Sequence, residues 1–529
     1  MKQFSTLFTL LCLMFSATFL SAQERYLDEV FTDVTVDRDV VYGNNLSVLS
    51  GAPVPTDLLL DLYRPAGDTI TDRPVVIFLH TGSFLPPLFN GGITGARSDS
   101  VVVEICTQLA KRGYVAAAAT YRQGWNPLAT DQNGRTGTLL NAVYRGIQDT
   151  RTAIRYFRKS AAEGIDGSEP NPYGINPENI ALFGQGTGGY LTFAASYVDR
   201  IDEVAALDKF IDTETLQVYV DTSMSGDPYG LDARPLNTPN HVGYSSDFKL
   251  AANVGGALGD STWIEGRDDE PATIGFHLPA DPFAPYYRGA VIVPTTGEFV
   301  VDVTGTRLAI EKANEIGNNA VFQEANNDLT DPLVQRVEAY KQVEFGLGVD
   351  TFQLATDNIY PFVTNGPASG PYEWWSKAQL DLVVAGTNAA AGTNFDSDAL
   401  HQQGLQLNPD MSKEKALLYI DTIMNYFTPR AYLALNLMAT STNEVLSAED
   451  VQLELGPNPM SDYMFVRSAQ DKPMLDIAVY DMSGKLVQGL MGINDNQYMI
   501  RRTSNMDSGM YVVQVRFKEG FVSRKIMLE

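Results

Sequence analysis

The sequence predicts an α/β protein: a mostly parallel sheet with cap insertions, followed by a separate C-terminal all-β sandwich. Three observations predict it. Strand-length apolar runs alternate with helical patterns between residues 58 and 427. One run, VVIFL at 75–79, is apolar throughout, as in a strand buried on both faces. Beyond residue 451 the pattern changes to short alternating strands separated by turn residues.

The elements follow in order. LLLDLY at 58–63 reads as a strand, and VVIFL as the next, ending in His80-Thr81-Gly82-Ser83-Phe84. Residues 98–112 repeat apolar positions at helical spacing (Val101, Val102, Ile105, Leu109) and stop at Gly113, a C-cap signal. YVAAAAT at 114–120 is a strand, and 139–162 a long amphipathic helix with Arg145, Asp149, Arg151 and Arg155 on its polar faces. After the segment 179–198, described below, 248–257 and 272–277 read as strands. The second leads into the turn at Asp281-Pro282. Two stretches break the alternation, about 212–244 and about 302–394, and read as cap or lid insertions over the sheet edge. The second holds the cluster Pro371-Tyr372-Glu373-Trp374-Trp375. Residues 411–427 form a last amphipathic helix, and 441–450 a small polar linker. The division is therefore 1–22 leader, 23–440 main domain, 441–450 linker and 451–529 sandwich.

The 529 residues carry a formal charge of −26, which argues against nucleic-acid binding. Residues 1–22 read as a secretory signal peptide, with Lys2 before an apolar stretch at 7–20, and no later run has the length of a membrane helix. The protein is expected to be exported and not membrane-integral. Of two cysteines, Cys12 lies in the leader, so Cys106 would be alone and packed. No metal is expected, since there is no H-E-x-x-H and no cysteine cluster; Arg267-Asp268-Asp269-Glu270 reads as a solvated acidic turn.

The chain is organised around NIALFGQGTGGYLTFAASYV at 179–198. A short apolar strand turns through Gly184, Gly186, Gly188 and Gly189 into a buried helix. That is the outline of a nucleophile elbow, G-x-S-x-G, with Gly184 and Gly188 as the flanking glycines. The central position, where a serine should stand, is Gly186. Glycine accepts the strained backbone of such a turn, which resists most side chains by about 1–3 kcal/mol, while deleting the hydroxyl. The alternative is a glycine-rich loop cradling a phosphate. Its spacing is not the dinucleotide fingerprint and no P-loop lysine follows, so no cofactor is expected.

Residues 58–427 resemble an α/β-hydrolase of the carboxylesterase and lipase type. The resemblance rests on the order of the strand with His80-Thr81-Gly82-Ser83-Phe84, the Gly113-Tyr114-Val115 strand entry, Gln148-Asp149 in the helix before the elbow, the GQGTGG turn and the Asp281-Pro282 turn. Residues 451–529 resemble the C-terminal sorting domain of proteins exported by the type IX secretion system. Here the carriers are Pro457-Asn458-Pro459, Val479-Tyr480-Asp481 with Gly484-Lys485-Leu486-Val487, SGMYVVQV at 508–515 and Ser523-Arg524-Lys525-Ile526. That resemblance implies contact with the type IX machinery, passage across the outer membrane of a Gram-negative bacterium, and release or attachment at the cell surface.

The hydrolase resemblance implies a chain order of nucleophile, acid and histidine. The acid position matches Asp281. Of the four histidines, His80 fits the oxyanion segment, His277 lies in the acid strand and His241 in a Pro-rich loop, leaving His401 before the final helix. The oxyanion donors would be the backbone N–H groups of Thr81 or Gly82 and of Thr187. His80, Trp374 and Trp375 are expected at the pocket. The resulting expectation is an exported esterase-like protein, catalytically impaired at Gly186, that binds an ester-, acyl- or glycan-like small molecule. Two alternatives stand beside it: a working ester or peptide hydrolase that uses Thr187 or another group, and a surface adhesion or matrix protein.

Overall fold

The structure, a computed structural model, describes residues 24–165, 167–437, 444–482, 484–517 and 520–529. The expected signal peptide and the first part of the expected linker lie outside the described residues. The main domain runs β1 (Val34–Ser47), β2 (Val54–Pro65), β3 (Arg73–Leu79), α1 (Ser100–Lys111), β4 (Val115–Ala119), α2 (Gln132–Glu163), β5 (Ile175–Gln185), α3 (Thr187–Tyr197), β6 (Leu250–Val254), β7 (Ala257–Leu258), β8 (Ala272–His277), β9 (Arg288–Ile292), β10 (Phe299–Gly305), α4 (Thr306–Ile316), β11 (Ile359–Pro361), α5 (Lys377–Ala391), α6 (Ser397–Leu407) and α7 (Lys413–Ala434).

Eight strands form one sheet in the order β1-β2-β4-β3-β5-β6-β8-β11. From β4 to β11 every pairing is parallel, while β1 and β2 join antiparallel. β3, β4, β6 and β8 are buried at every residue. Burial on both faces is why these runs carry no polar alternation. The pleat divides β3 between two cores. Val75, Ile77 and Leu79 pack on the side of α2 and α3, with Ile147, Phe157 and Leu191. Val76 and Phe78 pack on the side of α1 and α7, with Ile105, Leu109, Ile420 and Phe427. Cys106 is buried there too.

Two expectations are corrected. The polar residues of α2 are buried: Arg145, Asp149, Arg151 and Arg155 are at most 4% exposed. The segment expected to cap the sheet at 212–244 instead runs along this helix. Arg151 donates to the carbonyls of Pro228 and Val198, and Arg155 to those of Tyr229 and Asn240. Periodicity marks which face is polar, but not which polar face a loop will cover. The insertion expected at 302–394 is only partly a cap. β10 pairs with β7 and β9 in a small antiparallel sheet, and β11 extends the main sheet beside β8. Residues 369–408 remain above the elbow.

The C-terminal strands form a five-stranded and a three-stranded sheet around Met464, Val466, Ile477, Val479, Val513 and Val515. They meet the main domain through Tyr480, whose hydroxyl donates to Asn436 Oδ1 (2.7 Å), and through the N–H of Met491, which donates to Glu324 (3.0 Å). Among the described residues no helix is long and apolar enough to cross a membrane.

Candidate functional site

β5 ends at Gln185 and α3 begins at Thr187, so the whole turn is made by Gly186, at φ 54° and ψ −117°. Its N–H donates to Val254 of β6 (2.8 Å) and its carbonyl accepts from Tyr190 (3.2 Å). The flanking glycines are required by close approach. A Cβ on Gly184 would lie 2.1 Å from the Gly188 carbonyl oxygen, and one on Gly188 would lie 2.0 Å from the Leu79 carbonyl oxygen. At Gly186 a Cβ would meet the Thr81 hydroxyl at 2.1 Å and the Thr81 Cβ at 2.9 Å. The Thr81 side chain thus stands in the space that a residue-186 side chain would need.

Gly186, Thr81, Gly82, Thr187, Asp281 and Trp375 line one cavity of about 280 Å³. Asp281 is held by the N–H groups of Phe283 (2.8 Å) and Ala284 (3.2 Å) and by the Ser369 hydroxyl (3.2 Å). Burial pushes its carboxyl up to about 6. The Thr187 hydroxyl pairs with that of Tyr121 (2.9 Å), which donates to the His80 carbonyl (2.8 Å).

None of the four histidines lines this cavity. His401 does not pair with Asp281; its Nδ1 accepts from the Trp375 indole (3.0 Å). His80 was expected at the pocket. Its ring is turned away, with Nδ1 2.5 Å from the Thr81 carbonyl and the face stacked on Tyr121, and burial lowers it to about 4. His277 is buried between the Thr306 hydroxyl and the Ala284 carbonyl, and is lowered to about 4 for the same reason. His241 contacts the Tyr42 carbonyl (2.7 Å). Trp374 is also absent from the lining. It packs against the core beneath, and Trp375 alone of the pair faces the cavity.

Sequence reasoning missed Glu373 and Gln185. Gln185, 3% exposed, donates through Nε2 to Glu373, which also accepts from Thr94 (3.2 Å). Burial, reinforced by the nearby Asp99 and Asp281 carboxylates, raises Glu373 to about 8. Asp99 is itself raised by burial to about 6, even though the Gly95 and Ala96 N–H groups donate to it. The signal was present in Pro371-Tyr372-Glu373-Trp374-Trp375, where one charge stands among aromatics.

The cavity has two ends. Asp281, Glu373, Gln185, Thr81 and Ser369 surround the elbow, and Leu140, Val143, Ile147, Phe210, Trp263 and Val301 wall the far part. An apolar wall with a few convergent polar groups suits an amphiphilic small molecule.

Residues 60–225 match the BD-FAE family, and residues 455–529 match the secretion system C-terminal sorting domain family. No curated protein matches the chain. Among solved structures, the chain is similar to Thermogutta terrifontis esterase 2 phosphorylated by paraoxon at 17% identity, covering 69% of this chain and 96% of that one with a TM-score of 0.31. The propionate-bound form of the same esterase gives 17% identity, 68% and 96% coverage, and a TM-score of 0.30. Esterase B from Lactobacillus rhamnosis, inhibited by a tributyrin phosphonate, gives 17%, 48% and 68%, and 0.25. The matches support an esterase-like α/β-hydrolase fold and a type IX sorting domain over 455–529, and with them a secreted, esterase-like protein of the cell surface or medium.

Proposed function

We propose that this chain is a secreted binding protein built on an esterase scaffold, with the ligand cavity kept and the acyl-transfer chemistry lost. The hydrolase-like unit spans 23–440 and the sorting unit 451–529, with 441–450 between them. The observation that carries the reading is Gly186. It makes the sharp strand-to-helix turn at the cavity floor, has no side chain, and has the Thr81 hydroxyl in the adjoining space. The histidines support the same reading, because acyl transfer needs a base beside its nucleophile and no imidazole lines this cavity. Thr187 is a poor substitute nucleophile, since its hydroxyl is engaged by Tyr121 rather than by a base. The ligand is an amphiphilic small molecule of ester or acyl type, its apolar part against Val143, Ile147 and Trp263. The backbone N–H groups of Gly82 and Thr187 are left to donate to its ester or acyl oxygen at the start of α3.

The test is hydrolysis of p-nitrophenyl butyrate by the purified protein, with labelling by a fluorophosphonate probe. Background hydrolysis and no label are expected. Turnover above background, with the label mapped to Thr81, Thr187 or another cavity hydroxyl, overturns the proposal.

A further inference from the structure

We propose that the polar end of this cavity is a cation site, and that the ligand is an amphiphile carrying an ammonium head on an apolar body. The inference rests on the reading of the cavity as a ligand site and adds the chemistry of the head group.

Four observations carry it. Among the described residues, the only charged ones lining the cavity are Asp281 and Glu373, with no Lys, Arg or His in its walls. The second is an unmet acceptor. Gln185 is 3% exposed and lines the cavity, and while its Nε2 serves Glu373, its Oε1 has no partner. A buried amide oxygen left without a donor is unfavourable, and a ligand N–H would meet it. Third, Tyr372 and Trp375 line the same cavity as Glu373, and aromatic faces attract ammonium groups. Fourth, the site does not suit a bare metal ion, for among the described residues no three His, Cys, Asp or Glu side chains converge as a metal would require. A cation with several N–H donors spread over a larger radius fits what a small ion does not.

Charge decides between head groups. A fatty carboxylate would bring a negative group beside the ionised Asp281 and keep Glu373 from giving up its proton, in a water-poor space where like charges repel strongly. An ammonium supplies the counter-charge those carboxyls lack. Glu373 faces Asp99 and Asp281 as its charged neighbours and Gln185 and Thr94 as its hydrogen-bond donors, with no cation among them. With no cation facing it, it holds its proton at pH 7, in line with a value raised to about 8. Binding then proceeds with proton release: the Glu373 carboxylic acid gives its proton to buffer as the carboxylate pairs with the ammonium, and total charge balances.

The test is calorimetric titration of the full chain with n-octylammonium, n-octanol and n-octanoate. Octylammonium is expected to bind about tenfold or more tightly than octanoate, which is a conservative value for pairing against opposing a buried charge. Its affinity should rise from pH 6 to 8 as Glu373 ionises more readily. Titration in two buffers of different ionisation enthalpy should show net proton release at pH 7. Glu373→Gln should weaken octylammonium by about tenfold and leave octanol unchanged. Octanoate binding as well as octylammonium, the absence of proton release, or an unchanged affinity in Glu373→Gln overturns the head-group inference while leaving the cavity a binding site. Failure of all three probes to bind overturns both readings. If Glu373→Gln does not fold, the proton release of the unaltered chain decides alone.

Discussion

At residue 186 two constraints act together. The positive φ disfavours any side chain, and Thr81 fills the space a Cβ would take. Gly186→Ala is therefore expected to destabilise the protein by about 1–3 kcal/mol, from backbone strain and overpacking combined. Adding Thr81→Gly should recover the packing part and leave the strain, and a double-mutant cycle by urea unfolding measures that coupling. Gly186→Ser is expected to remain inactive on p-nitrophenyl butyrate. Its hydroxyl would enter occupied space, and His401 is engaged with Trp375 instead of Asp281. A hydroxyl at this position would have no base beside it, since no histidine lines the cavity.

Glu373 sets a second residue-scale expectation. Its carboxyl and that of Glu324 are both raised by burial to about 8. Between their ordinary 4.5 and that value, the folded state holds more protons than the unfolded chain. Stability therefore falls as pH rises, by at most about 1.4 kcal/mol per pH unit for each group. The buried His80 and His277, lowered from 6.5 to about 4, act oppositely: the unfolded chain takes up the proton, so stability rises with pH up to about 6.5. The clean window is thus pH 6.5 to 8. Thermal melts there should show a falling Tm, and Glu373→Gln should flatten that slope. A Tm that rises across this window contradicts the burial assigned to both carboxyls.

Among the elements, α2 best separates periodicity from environment. Its register was readable from 139–162, but the helix starts earlier, at Gln132, because the Asp131 side chain caps it through the Gly134 N–H. Its arginines marked only a polar face. In the structure Arg122 and Asp149 form a pair with no side-chain exposure, and Arg151 serves carbonyls of the wrapping loop. Arg122→Ala leaves the Asp149 charge buried without its partner and is expected to cost about 3–5 kcal/mol in urea unfolding. Arg122→Ala with Asp149→Ala should cost less than the sum of the two singles. The elbow element was the most legible of all. An apolar strand, four closely spaced glycines and a buried helix leave little alternative, since Gly184 and Gly188 have backbone oxygens where side chains would be. The cavity was less legible, because Gln185 and Glu373 are far apart in the chain and meet only across the fold.

For the molecule as a whole, the C-terminal sandwich has its own core and a limited seam with the main domain. Ala478, Tyr480, Leu486 and Met491 reach the layer that contains α7, and Glu324 accepts from Met491. Removing residues 444–529 is expected to leave the main domain folded, with unchanged octylammonium binding and a lower Tm. The slope above pH 6.5 should also become shallower, because Glu324 regains water. Loss of all cooperative unfolding in the shortened chain would show that the two units do not fold separately.

By itself the sequence determined the alternation of strands and helices, the sharp strand-to-helix turn at Gly186, the packed Cys106 and the change to short strands after 451. Each of these follows from local periodicity, composition or the space that a glycine leaves. Tertiary structure alone decided the rest: that a loop desolvates the α2 arginines, that His401 faces an indole, that Thr81 fills the space beside Gly186, and that Gln185 and Glu373 join at the cavity. Those are through-space pairings between distant segments, where burial and the nearest charge set the chemistry, and one-dimensional spacing carries no measure of either.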